Sequence, residues 1–312
     1  MPNYKIIVNP VSGRGAGQKA IPQLEQSLRT LQFNFDLVVT ERPWHACELA
    51  LQAAQAGYET VVAVGGDGTA NEVLNGLMQA RLKGIKTPAL GILCVGRGND
   101  FAYGMEIPSS PEQGLQVLKQ NFRKTIDVGY VEGGMYPQGR YFGNGVGIGF
   151  DAVVGFEALK LKWLTGFPSY IVATLKTVFL YYRAPLLRIE HDAETTTQPC
   201  LMVSTMNGQR LGGGFMMAPQ GQPNDGWLDC CIARKVSRAR VFALIPYFMK
   251  GTQATQPEVK MVRAHRIVVT AEQGVIPAHI DGETVCTEGK QLTLELLPSQ
   301  IEVICEVEKT NA

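Results

Sequence analysis

The chain has 312 residues, more than one domain of ordinary size needs, and its 45% hydrophobic and 18% charged content is enough to fill two cores. A formal net charge of +1 argues against a dedicated nucleic-acid binder. The seven cysteines are odd in number, sit mostly in apolar runs and form no CxxC pair, which argues against a disulfide framework or a zinc site and fits a reducing cytoplasm.

Residues 1–9 lack the long apolar stretch and small-residue cleavage site of a signal peptide, and no apolar run reaches the roughly 18 to 20 residues of a bilayer span. The expectation is a soluble, cytoplasmic protein whose contact with a membrane is peripheral. Short β-branched runs at 6–9, 35–40, 60–65 and 90–95 alternate with helical patterns at 17–31, 45–56, 71–82 and 111–121. Strands without polar alternation are buried on both faces, and helical crossovers impose parallel pairing. Residues 1–130 are therefore expected to form a layered, mostly parallel α/β domain. After about Asp127, closely spaced strand candidates at 141–149, 201–207, 227–233, 266–270 and 292–297 predict an all-β sandwich over 131–312. Roughly the last 15 to 20 residues are expected to pack on the first domain. Helical insertions are predicted over 152–182 and 238–249, and the stretch 190–199, with three consecutive threonines, reads as an exposed, mobile link.

Three strand ends of the first domain carry glycine-rich turns. The first strand runs through Asn9, Pro10, Val11, Ser12, Gly13, Arg14, Gly15, Ala16 and Gly17 into a helix. Glycine there removes the Cβ that would keep an anion from backbone N–H groups and a helix N-terminus. The third strand ends in Gly65, Gly66, Asp67, Gly68 and Thr69; Thr69 is placed to cap the next helix, and Asp67 stands where a magnesium-bound phosphate would arrive. The fourth gives Gly96, Arg97, Gly98, Asn99 and Asp100. Ligands of open α/β sheets sit beyond the carboxyl ends of the strands, so the three loops are expected to converge on one cleft. None of them is a Walker loop or a GxGxxG fingerprint.

With these loops, and above all Gly65-Gly66-Asp67-Gly68-Thr69 followed by Asn71 and Glu72, the chain resembles the diacylglycerol kinase catalytic-domain family, in particular its bacterial YegS-like lipid kinases, over nearly its full length. The resemblance implies an NAD kinase-like, nucleotide-binding α/β domain, a C-terminal β-sandwich, and catalysis in the cleft between them. It implies ATP with Mg2+, held by Asn9, Pro10, Ser12, Gly13 and Arg14, by Thr40 at the end of the second strand, by Gly65, Gly66, Asp67, Gly68, Thr69, Asn71 and Glu72, and by Arg97, Asn99 and Asp100. Arg97 stands where the family commonly has threonine or serine; a guanidinium can meet phosphate bidentately. A structural magnesium is implied as well, bound by the Asp225 carboxylate and the carbonyls of Gln222 and Trp227, with Asp100 and Asp127 linking it to the nucleotide. Taken as residues alone, Asn224-Asp225-Gly226 is equally a hairpin turn.

Asp281 and Glu283 flank Gly282 where a strand enters a turn, and a carboxylate so placed can take the proton of an attacking hydroxyl. By resemblance Glu283 is that acceptor and Asp281 its support, with Asp67 acting at the phosphate. Phe156, Leu159, Trp163, Leu164, Phe167, Tyr170, Ile171, Leu175, Phe179 and Tyr182 interleave with Lys160, Lys162, Lys176 and Arg183. Such a mixture suits a membrane-facing surface or an acyl-chain cleft, and equally a helix covering a sandwich core. The four histidines show no metal-ligand spacing and neither GxSxG nor HExxH occurs, so hydrolase and zinc-enzyme readings lack support. The resemblance thus implies an ATP- and Mg2+-dependent kinase acting on a lipid hydroxyl at the membrane surface, with diacylglycerol as the first candidate and phosphatidic acid as product. An NAD kinase-like enzyme and a catalytically silent nucleotide- or lipid-binding protein are the alternatives. The sequence leaves open which lipid is used and whether the chain forms a homodimer.

Overall fold

In the computed structural model, which describes residues 3–96, 98–161, 167–180 and 182–306, the first apolar runs become strands of a parallel sheet. β1 (Asn3–Val8), β2 (Asn34–Val39), β3 (Thr60–Gly65) and β4 (Ala89–Cys94) lie in the order β2-β1-β3-β4, every pair parallel. β3 and β4 are buried at every position, as central strands covered on both faces must be. The crossovers run through α1 (Ser12–Thr30), α2 (His45–Gln55) and α3 (Asp67–Leu82); α4 (Asp100–Gly104) and α5 (Pro111–Gln120) follow β4. Since β1 connects to β2 on one side and pairs with β3 on the other, the strand order reverses at β1, where open sheets place their ligands.

The chain divides into two compact units: one made of the segment up to Ile126 together with the segment from Ser299 onward, the other Asp127–Pro298. In the first, Val303 pairs in parallel with Leu90, and Ile304 joins the core formed by Ile6, Val8, Val62 and Leu93.

The second unit is antiparallel. β5 (Arg123–Gly133) and β6 (Tyr136–Phe142) form a hairpin, followed by β7 (Gly145–Gly149), α6 (Phe150–Lys160), α7 (Phe167–Leu180), β8 (Leu186–His191), β9 (Glu194–Met206), β10 (Leu228–Arg234) and α8 (Arg238–Lys250). β11 (Val259–Ala264), β12 (Arg266–Gln273), β13 (Ile276–Ile280), β14 (Glu283–Gly289) and the part of β15 (Gln291–Ile304) up to Pro298 complete it. One half of β9 pairs with β8, the other with β7 and β10, so this long strand belongs to both layers of the sandwich. The core between the layers includes Phe142, Ile148, Val203, Ile232, Val269, Ile280 and Leu294. On the other face of β9 and β10, Phe150 and Val154 of α6 and Val241, Leu244 and Phe248 of α8 pack against Leu201, Met202 and Cys231. All seven cysteines are buried and none is in a disulfide.

Two expectations need correction. The stretch 190–199 is no loose link: Thr195, Thr196 and Thr197 pair with Glu190, Ile189 and Arg188 in a hairpin turned at Asp192, whose φ is 48°. β-branched threonine favours that pleated surface. The single strand expected over 141–149 is two, because the amides of Gly143, Asn144 and Gly145 leave the ladder for the Asp281 carboxylate.

Candidate active site

The glycine loops of the first unit are stitched to one another. The Asn9 side-chain amide donates to Thr69 Oγ1 at 2.9 Å, joining the loop after β1 to the loop after β3. Ser12 Oγ donates to the Val95 carbonyl at 3.1 Å, reaching the loop after β4, and the Phe101 amide donates to Asp67 Oδ1 at 2.9 Å, closing the ring. The backbones also touch: a Cβ on Gly96 would stand 2.4 Å from Gly66 Cα. Within the loop that opens α1, Gly13, Arg14 and Gly15 all have positive φ (57°, 61° and 88°), so the regular helix starts only at Ala16. For Arg14 that conformation is strained, and the Gly15 amide closes the turn onto the Val11 carbonyl at 3.2 Å. The starts of α1 and α3 add the positive ends of two helix dipoles to the same sheet edge.

Burial sorts the other residues assigned to the nucleotide. Thr69 does not cap α3, whose N-cap is Gly66 without a side-chain bond; it accepts from Asn9 instead. Asn71 is fully buried and accepts two hydrogen bonds from Asn75, and Glu72 accepts from the Ala46 amide at the start of α2. Asn71 thus braces the loop from within the helical layer, and Glu72 ties it to α2. Thr40 is buried, its amide bonded to the Val8 carbonyl, and Asp100 is buried at the start of α4. Pro10 accepts from the Gln18 amide, and Asn99 holds a left-handed backbone with φ 52°. Arg97 lies outside the described residues, as do Lys162, Trp163 and Leu164.

In the second unit, Asp281 and Gly282 form the tight turn of the β13–β14 hairpin with φ of 43° and 86°, the doubly left-handed geometry that Asp-Gly favours. The Asp281 carboxylate is buried and accepts the amides of Gly143, Asn144 and Gly145 at 2.8 to 3.1 Å. It is thus committed to holding the break that precedes β7. Glu283, one residue beyond the turn, is partly exposed and pairs with Arg140 at 2.7 Å. Arg140 is itself fully buried, donates to Tyr136 Oη at 2.5 Å and lies over the Tyr136 ring. A guanidinium so fixed aims one carboxylate in one direction. Sequence reasoning missed Arg140; its signal is an arginine at an inward position of β6, where Arg140 and Phe142 are buried and Tyr141 between them is only half-buried.

The segment 222–227 is tied to Asp127, whose amide donates to the Pro223 carbonyl and whose Oδ2 accepts from the Gly226 amide at 2.8 Å. One carboxylate and two carbonyls are hard oxygen donors of the kind magnesium takes. Yet both oxygens of Asp225 are engaged: Oδ1 accepts the Trp227 amide at 3.1 Å, and Oδ2 contacts Nη2 of Arg263. As it stands, Asp225, the one carboxylate of the set, is already engaged at both oxygens and does not fit the structural magnesium implied for it together with the carbonyls of Gln222 and Trp227.

The apolar helices α6 and α7 are mostly inward. Phe167, Tyr170 and Ile171 pack on the helix-side core, while Leu159, Leu175 and Phe179 are exposed. Lys160 and Lys176 both reach Glu157, a nearly buried carboxylate on α6, which they hold below the usual range against the opposing effect of burial. Among the described residues no helix is long and apolar enough to cross a membrane.

A parallel sheet with stitched glycine loops, followed by an antiparallel sandwich, defines the fold shared by NAD kinases and diacylglycerol kinases. A diacylglycerol kinase from Bacillus anthracis str. Sterne superposes with a TM-score of 0.74 at 21% identity, covering 98% of this chain and 97% of that one. An NAD kinase from Archaeoglobus fulgidus in complex with ATP gives 0.54 at 14% identity, covering 98% of this chain and 94% of that one. The model of the diacylglycerol kinase catalytic domain matches residues 3–131, and that of the YegS C-terminal NAD kinase beta sandwich-like domain matches residues 144–305. The "Probable lipid kinase YegS-like" of Serratia proteamaculans (strain 568) is 34% identical over 305 residues, 94% of this chain and 91% of its own length. The "Diacylglycerol kinase" of Mycobacterium tuberculosis (strain ATCC 25618 / H37Rv) is 26% identical over 299 residues, 96% of this chain and 93% of its own. The chain belongs to the diacylglycerol kinase and YegS-like lipid kinase family.

Proposed function

We propose that this kinase transfers the γ-phosphoryl group of MgATP to the hydroxyl of a membrane lipid, with diacylglycerol the first candidate. The observation that carries the reading is the convergence of the three loops, joined through Asn9–Thr69, Ser12–Val95 and Asp67–Phe101. A triphosphate is the ligand such a collar suits, because phosphoryl transfer asks the protein mainly for positioning and charge neutralisation. Arg14 and the amides of the left-handed turn meet phosphate oxygens, and Asp67 faces the magnesium that arrives with the nucleotide. Glu283 accepts the proton of the attacking hydroxyl as the new P–O bond forms and the bond from the γ-phosphorus to ADP breaks. Asp281 is a positioning residue, since its oxygens are taken by three amides. The exposed Leu159, Leu175 and Phe179 support a peripheral contact with the membrane that carries the lipid.

The test is incubation with radiolabelled ATP, magnesium and a panel of lipids in mixed micelles. Label is expected in a chloroform-extractable product with diacylglycerol, and Glu283→Gln and Asp67→Ala are each expected to lower turnover about 100-fold or more. Wild-type turnover in both variants would remove these roles, and label found only in NADP would favour the NAD kinase reading.

A further inference from the structure

The segment 222–227 carries the inference, because the residue that occupies Asp225 is an arginine from a neighbouring strand. β10 and β11 are antiparallel, and their register sets Asp229 directly opposite Arg263. From that position the guanidinium reaches two acids: Nη2 contacts Asp225 Oδ2, and Nε stands 3.5 Å from Asp229 Oδ1. It also lies over the Trp227 ring, 5.6 Å from its centroid, and that ring meets His265 in a tilted contact, centroids 3.9 Å apart at 41°. Three side chains of the turn and its strand are thereby gathered on one planar cation.

A magnesium ion demands a near-octahedral shell of oxygens and parts with its water reluctantly. To use Asp225 it would have to displace a guanidinium already seated on Oδ2 and then share the turn with that positive charge. Arginine, by contrast, is always charged, is weakly hydrated, and stacks on aromatic faces as it does on Trp227.

We propose that Arg263 takes the place of a structural cation in this protein: the guanidinium, not magnesium, fixes the turn 222–227 by bridging Asp225 and Asp229 and stacking on Trp227. Any magnesium dependence of the chain then belongs to its nucleotide alone. The inference is independent of the lipid substrate and is testable without nucleotide.

The experiment follows the thermal midpoint of the full-length chain by circular dichroism in EDTA and in millimolar magnesium chloride, together with the metal content after dialysis. The wild type is expected to melt within about 1 °C in the two conditions and to retain no stoichiometric metal. Arg263→Met is expected to melt about 2 to 4 °C lower in EDTA, the shift that losing one such bridge gives in a unit of this size. Should Arg263→Met fail to fold, Arg263→Lys, which keeps the charge but neither the fork nor the stacking, is expected to show a smaller drop. A wild type that melts several degrees lower in EDTA, or that holds about one magnesium per chain without nucleotide, overturns the proposal. So does an arginine variant as stable as the wild type in EDTA.

Discussion

At the scale of single residues, the second unit contains a polar group that sequence patterns do not reveal. His279, Gly147 and Ser204 stand in register on β13, β7 and β9. Gly147 has no side chain, and the space is used by others: a Cβ there would lie 2.3 Å from His279 Nε2 and 2.6 Å from Asp151 Oδ2. Asp151 accepts from Ser204 and from the Ala152 amide, but burial outweighs both and pushes its carboxyl up to about 7. Burial also lowers the His279 imidazole to about 4. Nearby Cys230 and Cys231 are pushed upward in the same way and stay neutral. The signs oppose. His279 binds its proton more tightly when unfolded, so its contribution is complete above the ordinary 6.5 and is lost as pH falls towards 4. Asp151 binds its proton more tightly when folded, so its contribution is complete below 3.8 and is lost as pH rises towards 7. In the wild type the two slopes cancel across most of this window. Asp151→Asn removes one of them, and the stability difference between variant and wild type should grow against the variant by about 1.4 kcal/mol per pH unit on acidification from 7 to 4. Urea unfolding at several pH values measures this, and a pH-independent difference would show that Asp151 titrates normally.

At the scale of elements, the strand ends were legible because buried parallel strands have a continuous apolar signature and their exits carry glycine. What the sequence could not supply was the direction of each side chain within a loop. Gly65 to Glu72 reads as one motif, yet Asp67 faces the loop after β4 whereas Asn71 and Glu72 turn into the helical layer. A helix repeats every 3.6 residues, so consecutive motif positions on α3 necessarily point to different sides. The break in the expected 141–149 strand was hidden for a related reason: its cause is Asp281, more than 130 residues away in sequence. Arg140 likewise gains its meaning only from Glu283 on a distant strand. Gly96 offers the sharpest test of the loop collar. An added methyl would meet Gly66 Cα and, at 2.6 Å, Asn99 Oδ1, so two backbones must separate. Gly96→Ala is expected to weaken nucleotide binding at least tenfold by calorimetry while lowering the thermal midpoint by only a few degrees, since the strands beneath are unchanged. Unaltered affinity would mean that the loops need not touch.

At the scale of the whole molecule, the order of residues along the chain is not the order of folding units: the last residues return to the first unit, as the sequence leads one to expect, although the strand pattern alone does not mark where the return begins. Pro298 and Ser299 look like the end of the strand predicted at 292–297, but β15 continues to Ile304 through a left-handed Ser299 with φ 52°. The part beyond Ser299 belongs to the first unit: Ile301, Val303, Ile304 and Cys305 are buried, Arg81 donates to Gln300, Arg123 pairs with Glu302, and the Cys305 amide donates to the Phe122 carbonyl. Each large apolar side chain buried there contributes roughly 1.5 to 3 kcal/mol. Three of them together are comparable with the roughly 5 to 15 kcal/mol that holds an entire domain folded. Removing them also leaves the edge of β4 without its neighbour. A chain ending at Pro298 should therefore lose the first unit selectively. Hydrogen exchange read by mass spectrometry should show β1, β3 and β4 unprotected while β9, β10 and β13 keep their protection. If the first-unit strands stayed as protected as in the full chain, the returning segment would be an ornament on a sheet that is complete without it. A loss of protection in both units together would instead mean that they unfold as one.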